Sequence, residues 1–217
     1  MRHRTTLRLA LPGAVLSALV LAACNNPRSS SDNTATGMAR TTADTAASAA
    51  ATVRDTMGAR ADTGAALSDA NIVALLDEAN KADSAAGHFA MSRAHDAGVK
   101  GFAAMMMAEH HELRRQGQAL AKKLNITPQA PANDPVKALA AAEMDSLQAA
   151  PKGAGFDRVY IDQEVGVHKA VIDLAEKAHD ATKNKELQAL IEKAKPFLER
   201  HLDRAETLQK KLAKTTA

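Results

Sequence analysis

The sequence predicts an all-α fold: an antiparallel four-helix bundle with a long crossover between its second and third helices. Three observations lead there. Residues 67–217 show almost no alternation of apolar and polar residues at period two, the pattern of a strand. They are rich in Ala, Leu, Lys, Glu and Gln, which favour helix. Their large apolar residues recur at helical spacing in four long stretches, separated by two short connections and one long one.

The first helix starts at Leu67-Ser68-Asp69, where Ser68 is suited to accept from backbone N–H groups of the first turn. Leu67 and Ile72 have the spacing of a hydrophobic staple. Its stripe runs Ile72, Leu76, Ala79, Ala86, Ala90, Ala94. The second helix covers about 99–124, with Phe102, Met106, Leu113, Leu120 and Leu124 on one face, and Asn125 and Pro128 end it. A crossover follows, punctuated by Pro128, Pro131, Pro135 and Pro151, with a short helix over about 135–148. The third long helix begins near Ala154 and aligns Phe156, Tyr160, Val167, Val171, Leu174 and Ala178. The fourth follows Asn184 with Leu187, Ile191, Ala194, Phe197, Ala205, Leu208 and Leu212, and Pro196 is expected to bend it. Two helical hairpins joined by one long crossover make the ferritin-like arrangement rather than the simple up-down bundle.

The N-terminal 66 residues read differently. Residues 1–23 carry Arg2, Arg4 and Arg8, then an apolar run from Leu9 to Ala23, the pattern of a secretory signal peptide. The run is too short and too interrupted for a transmembrane helix. Leu21-Ala22-Ala23-Cys24 resembles the bacterial lipobox, whose cysteine is lipidated; Cys24 is the only cysteine, so no disulfide forms within the chain. Asn25, in place of aspartate, favours the outer membrane by resemblance to the sorting rule of enteric bacteria. Residues 24–66 are Ser, Thr, Ala, Asp and Gly with few large apolar groups, a composition that cannot offset its ordering entropy, and they are expected to form a flexible tether. The expectation is a cell-envelope protein, held by lipid at Cys24 to the outer membrane and facing the periplasm.

Charge excludes one class of partner. The chain has 28 Lys+Arg against 25 Asp+Glu. Loss of residues 1–23 removes three arginines and no acid, leaving 25 against 25. There is no Trp and one Tyr, so nucleic acid would find neither a basic face nor stacking platforms.

The stretch MMMAEHHE, Met105 to Glu112, looks like a metal site until it is placed on a helix. At about 100° per residue, Met106 and His110 face the core, Glu109 sits on the inner flank, and His111 and Glu112 face away. The same construction puts Asp83 at the centre of the first helix's stripe and His201 at the centre of the fourth's. It turns His168 inward on the third helix, with Glu164 one turn earlier and Tyr160 one turn before that. Each inward polar residue lies near the middle of its helix, so antiparallel packing brings them to one depth. Asp83, His110, His168 and His201, flanked by Glu109 and Glu164, would either satisfy one another as a hydrogen-bonded network or hold one transition-metal ion, Zn, Fe, Mn or Cu. Tyr160 could bond into the layer. Glu176 and His179 form a Glu-x-x-His pair that points outward, and His88, His95 and His111 are expected in solvent.

The segments ANKADSAAGHFAMSRA, VKGFAAMMMAEHHELRRQ, FDRVYIDQEVGVHKAVIDL and PFLERHLDRA resemble, in order, the helices of a bacterial family of unknown function described as outer-membrane or secreted proteins with a ferritin-like fold. The resemblance covers about residues 68–212. It implies an acid at Asp83 and histidines at His110, His168 and His201 as the family's polar positions. The family's acid at the first of these is commonly glutamate, and the one before the second-helix histidine is often aspartate, where this chain has Glu109. The di-iron pattern of ferritins needs two inward Glu-x-x-His motifs, and this chain has none. Three functions follow as expectations: a metal-binding envelope protein; a non-enzymatic structural or stress lipoprotein whose polar layer sets helix packing; or a metal-dependent oxidase or hydrolase with Glu164 or Glu109 as base. Protein partners are not indicated.

Overall fold

Ser68 opens the first helix as its side chain requires. In the computed structural model, which describes residues 67–214, its hydroxyl accepts the Asn71 N–H at 3.2 Å and Asn71 Oδ1 accepts the Ser68 N–H at 3.2 Å. This reciprocal capping box starts α1, Asp69–Arg93. Asp96 starts α2, Ala97–Lys123, by accepting the N–H groups of Gly98 and Val99. Asn125 ends α2 in the left-handed region, φ 55°. There the Ile126 N–H reaches the Ala121 carbonyl and the Asn125 N–H the Lys122 carbonyl, closing a Schellman turn. Asp134 caps α3, Pro135–Ala149, with proline in its first turn. Two more helices complete the set, α4, Ala154–Ala181, and α5, Lys185–Lys214, which continues through Pro196. The described residues contain no strand, and none of these helices is long and apolar enough to cross a membrane. The signal peptide and lipidated Cys24 expected from sequence, with the tether to residue 66, lie outside the described residues.

Side-chain pairs fix the helix directions. Asp77 meets Arg114 and Asn80 meets His110, so α1 and α2 are antiparallel. Asp96 meets Lys211, Glu109 meets His201 and Gln116 meets Lys193, so α2 and α5 are antiparallel. Asp162 meets Gln209 and Glu176 meets Lys195, so α4 and α5 are antiparallel. It follows that α2 and α4 run in the same direction. Their connection must return along the bundle, a distance of about 40 Å for a helix of α2's length. The crossover does so, and α3 lies within it, packed on α1 and α4. This extra contact explains why α4 is buried on more than one face. Val165, Gly166, Val167 and His168 are all buried in succession, where the sequence showed one stripe.

The core divides into two clusters. One contains Ile72, Ala79, Leu139, Val171, Ile191 and Leu198; the other contains Ala86, Phe102, Leu147, Phe156, Tyr160 and Ala205. Along α1, α3 and α5 the division falls at Asp83, Glu143 and His201, each a buried polar residue between apolar ones. Two contacts hold the second half tight. Asp157, 1 % exposed, accepts the N–H groups of His95 and Asp96 at 2.8 Å each, tying α4 to the α1–α2 turn. A Cβ on Gly87 would stand 2.7 Å from the Ala103 carbonyl oxygen and 3.0 Å from the Met107 nitrogen, so only glycine permits this approach of α1 to α2.

Candidate metal centre

Three helices each deliver one histidine to the centre of the bundle: His110 from α2, His168 from α4 and His201 from α5, all 1 % exposed or less. Ring centroids are 5.0 Å apart for His110 and His201, 5.4 Å for His168 and His201, and 5.7 Å for His110 and His168. One nitrogen from each lies within 4.8 Å of the others. These are mid-helix positions, so the antiparallel register alone puts them at one depth.

The other nitrogen of each ring is engaged, and its partner fixes the tautomer. Asn80 donates its Nδ2 to the Leu76 carbonyl, which leaves Oδ1 as the acceptor facing His110 Nδ1 at 3.0 Å. The proton of neutral His110 is therefore on Nδ1. His168 Nδ1 stands 2.9 Å from the Glu164 carbonyl oxygen, which can only accept. His201 Nε2 stands 2.7 Å from the Glu109 carboxylate, which Arg200 also binds. In every neutral ring the remaining nitrogen carries a lone pair: His110 Nε2, His168 Nε2 and His201 Nδ1. These three atoms are buried without a hydrogen-bond partner.

A carboxylate backs each ring. Asp83 Oδ2 lies 3.5 Å from His110 Nδ1, Glu164 Oε2 lies 3.3 Å from His168 Nδ1, and Glu109 bonds His201. Metal-bound histidines donate their outer N–H to an acceptor, here Asn80 Oδ1, the Glu164 carbonyl and the Glu109 carboxylate, and the acceptor sets ring orientation and basicity. The structure thus places Asp83, Glu164 and Glu109 behind the histidines, against their outer nitrogens. Tyr160 is fully buried one turn from Glu164, and its hydroxyl has no hydrogen-bond partner.

Sequence reasoning missed two members. Glu143 of α3 is 2 % exposed, with Oε1 unpartnered. It sits on the apolar stripe of Val136, Leu139 and Leu147, so a helical wheel of the short helix would have found it. Asn80 lies one turn before Asp83, and i, i+3 spacing was its signal. Nine buried side-chain nitrogen and oxygen atoms lack partners among the described residues, and eight belong to Asp83, His110, Glu143, Tyr160, Glu164, His168 and His201. Each such atom costs on the order of 1–3 kcal/mol in a dry interior, so the deficit is concentrated in this layer.

Electrostatics follow from that burial. Burial pushes the Asp83 carboxyl up to about 7, against the attraction of His168 and with the repulsion of Glu164. It pushes Glu143 well above the usual carboxylate range, with Glu164 and Asp83 adding to it. Burial, and then the charges of His168 and His201, hold His110 well below its ordinary value. His201 is lowered mainly by burial, against its bond to Glu109. For His168 burial lowers, but its hydrogen bonding to Glu164 and the charges of Asp83 and Glu164 outweigh it, and the net direction is up. Burial and the Glu164 charge raise the Tyr160 phenol well above its usual value. At neutral pH His110 and His201 are therefore unprotonated, the form that binds metal.

The donor set fits a transition-metal ion. Three imidazoles suit zinc once His168 gives up its proton to the incoming ion, with iron, manganese and copper(II) also served by nitrogen donors. Nitrogens 2.0–2.1 Å from a tetrahedral ion stand about 3.4 Å apart, so ring rotations of about an ångström would close the present spacing. The remaining histidines among the described residues lie elsewhere. His88, His95 and His111 are exposed, and His179 pairs with Glu192 on the surface while Glu176 pairs with Lys195.

The chain belongs to the family described as "Domain of unknown function (DUF4142)", whose model matches residues 54–208. No curated protein and no solved structure matches it.

Proposed function

We propose that this chain is a ferritin-like, lipid-anchored protein of the cell envelope that binds one transition-metal ion through His110, His168 and His201. One observation carries the metal reading: three buried imidazoles bring a nitrogen each within 4.8 Å of the others, and each ring keeps one unpartnered nitrogen while its other nitrogen meets an acceptor. Zinc is the ion this set suits best, since three histidines leave its fourth position open for water or a substrate. Helix directions and the long return of the crossover support the ferritin-like reading. The lipobox-like Leu21-Ala22-Ala23-Cys24 supports the envelope reading, with the periplasmic face of the outer membrane as its site.

The bound ion would supply charge to polarise a ligand or to activate a water. Asn80 and the Glu164 carbonyl would orient His110 and His168 through their outer nitrogens, with the Asp83 and Glu164 carboxylates beside them. Glu109, 31 % exposed, would couple His201 to the surface together with Arg200. Binding for storage, sensing or protection needs no more than this. Hydrolase or oxidase chemistry would need a substrate as well.

The test is the metal content of the chain purified without a histidine tag, followed by uptake of zinc, iron, manganese and copper. We expect one ion per chain, and loss of at least a hundredfold in affinity on His201→Ala, on the scale of a coordinating ligand rather than its supporting partner. No stoichiometric metal and no uptake would leave the layer as a device for helix packing. His201→Ala would then change stability alone.

A further inference from the structure

An elongated cavity of about 350 Å³ lies between α1, α2, α4 and α5, on the side of the histidine layer away from the α1–α2 turn. Its walls are aliphatic, with Leu76, Leu113, Ala121, Val171, Leu187 and Ile191 among them. Its inner end is formed by Asn80, Asp83 and His110, members of the metal layer. Its outer end is formed by exposed residues of the α2 terminus and the start of the crossover, including Lys122, Thr127 and Pro128. Along α2 the lining extends from His110 to Lys122, a rise of about 18 Å. A volume of this order, apolar walls and a few polar groups at defined ends are the marks of a small-molecule site.

Gly117 adds an independent observation. Glycine in the middle of a helix is less favourable than alanine, and it is usually kept for close packing. Gly87 is such a case. Gly117 is not: a Cβ there would meet nothing within 4 Å, and the residue lines the cavity. The space beside it is open.

We infer that this cavity binds a single-chain aliphatic amphiphile, with the hydrocarbon between the helices and an anionic head group beside Lys122 at the mouth. Length and apolar walls select an extended chain. The head group is assigned to the mouth because Lys122 is exposed there, whereas the inner end, at Asp83 and His110, is buried and an ionised head group would lose its hydration. Arg114, also at the cavity, is held by Asp77 at 3.0 and 3.2 Å, which leaves Lys122 as the exposed cation of the lining. Chain binding needs no ion. That the far end of the chain is delivered to a metal rests on the reading of His110, His168 and His201 given above.

Dodecanoate is the probe, titrated by calorimetry into the Cys24→Ala chain so that no detergent competes. We expect saturable binding of one molecule per chain. Gly117→Leu should weaken it at least tenfold while the thermal midpoint and zinc uptake hold or rise. Lys122→Glu, a surface change that leaves the fold alone, should weaken dodecanoate about fivefold, the scale of an exposed ion pair, and leave dodecanol unchanged. Absence of saturable binding, or equal affinity in Gly117→Leu, overturns the cavity assignment. An equal effect of Lys122→Glu on dodecanol overturns the head-group assignment. Dodecanoate bound without zinc uptake refutes the metal reading alone, and zinc bound without dodecanoate refutes this one alone.

Discussion

Toward the α1–α2 turn, the core holds Phe102, Phe156 and Tyr160, with ring centroids 6.0 and 6.3 Å apart, and Gly87 lets two helices approach to backbone contact. Away from that turn, the described core contains no aromatic residue and encloses a cavity of about 350 Å³. The same four long helices supply both halves, and the histidine layer lies between them. Large rigid rings and a clamped turn hold the layer's register from one side. Small and branched aliphatics leave access to it from the other. One half therefore fixes the geometry of the three imidazoles, and the other half is where a ligand has room.

Adding atoms separates the halves most sharply. Gly87→Val pushes a branched side chain into the Ala103 carbonyl and the Met107 nitrogen, neither of which can move without its helix. We expect a loss of roughly 3 kcal/mol, at the upper end for overpacking, measured as a fall in the urea midpoint at constant slope. A loss under 0.5 kcal/mol would show the first half to be as loose as the second.

The layer itself comes next in size. In the metal-free chain Asp83 titrates near 7 when folded, against an ordinary value of 3.8. The folded form therefore holds its proton where the unfolded form has lost it, and folding stability from this group falls as pH rises from about 4 to 7. Asp83→Asn removes that dependence. Relative to the parent, the variant should gain little near pH 4, gain progressively up to pH 7, and level off above it on the order of a few kcal/mol, the scale set by the shift from 3.8 to about 7. Urea titrations across this range read the difference. A gain independent of pH would place Asp83 in contact with solvent.

The smallest effect belongs to the open half. Gly117→Ala should raise stability by about 0.8 kcal/mol, the helix-propensity difference, because nothing opposes the added methyl. Destabilisation there would mean that the cavity walls are already in contact.

The helices and the three histidines were legible because both depend on local periodicity. Ser68 as a cap, Asn125 as terminator, and His110, His168 and His201 on inward faces all follow from spacing within one helix, whereas Asp96 as the cap of α2 was not read from the sequence. What needed the fold was relation between helices. Asp83 reads from its wheel position as a potential ligand, yet the packing of α1 places it against the outer nitrogen of His110. Glu143 lies in a short helix within the crossover, and its relevance depends on where that crossover returns. Asp157 lies in the first turn of α4, and its task of holding the His95 and Asp96 amides is visible only once α4 meets the α1–α2 turn. The cavity is the least legible of all, because it is set by side-chain volumes contributed from four helices together.

Nitrogen NMR of the histidine side chains reads the three unpartnered nitrogens of the layer directly. On addition of one equivalent of Zn(II) to the metal-free chain, His110 Nε2, His168 Nε2 and His201 Nδ1 should shift together to the range of metal-bound imidazole, while His110 Nδ1, His168 Nδ1 and His201 Nε2 stay protonated. Resonances that remain unchanged, or shifts confined to exposed histidines such as His88, His95 and His111, would contradict the account.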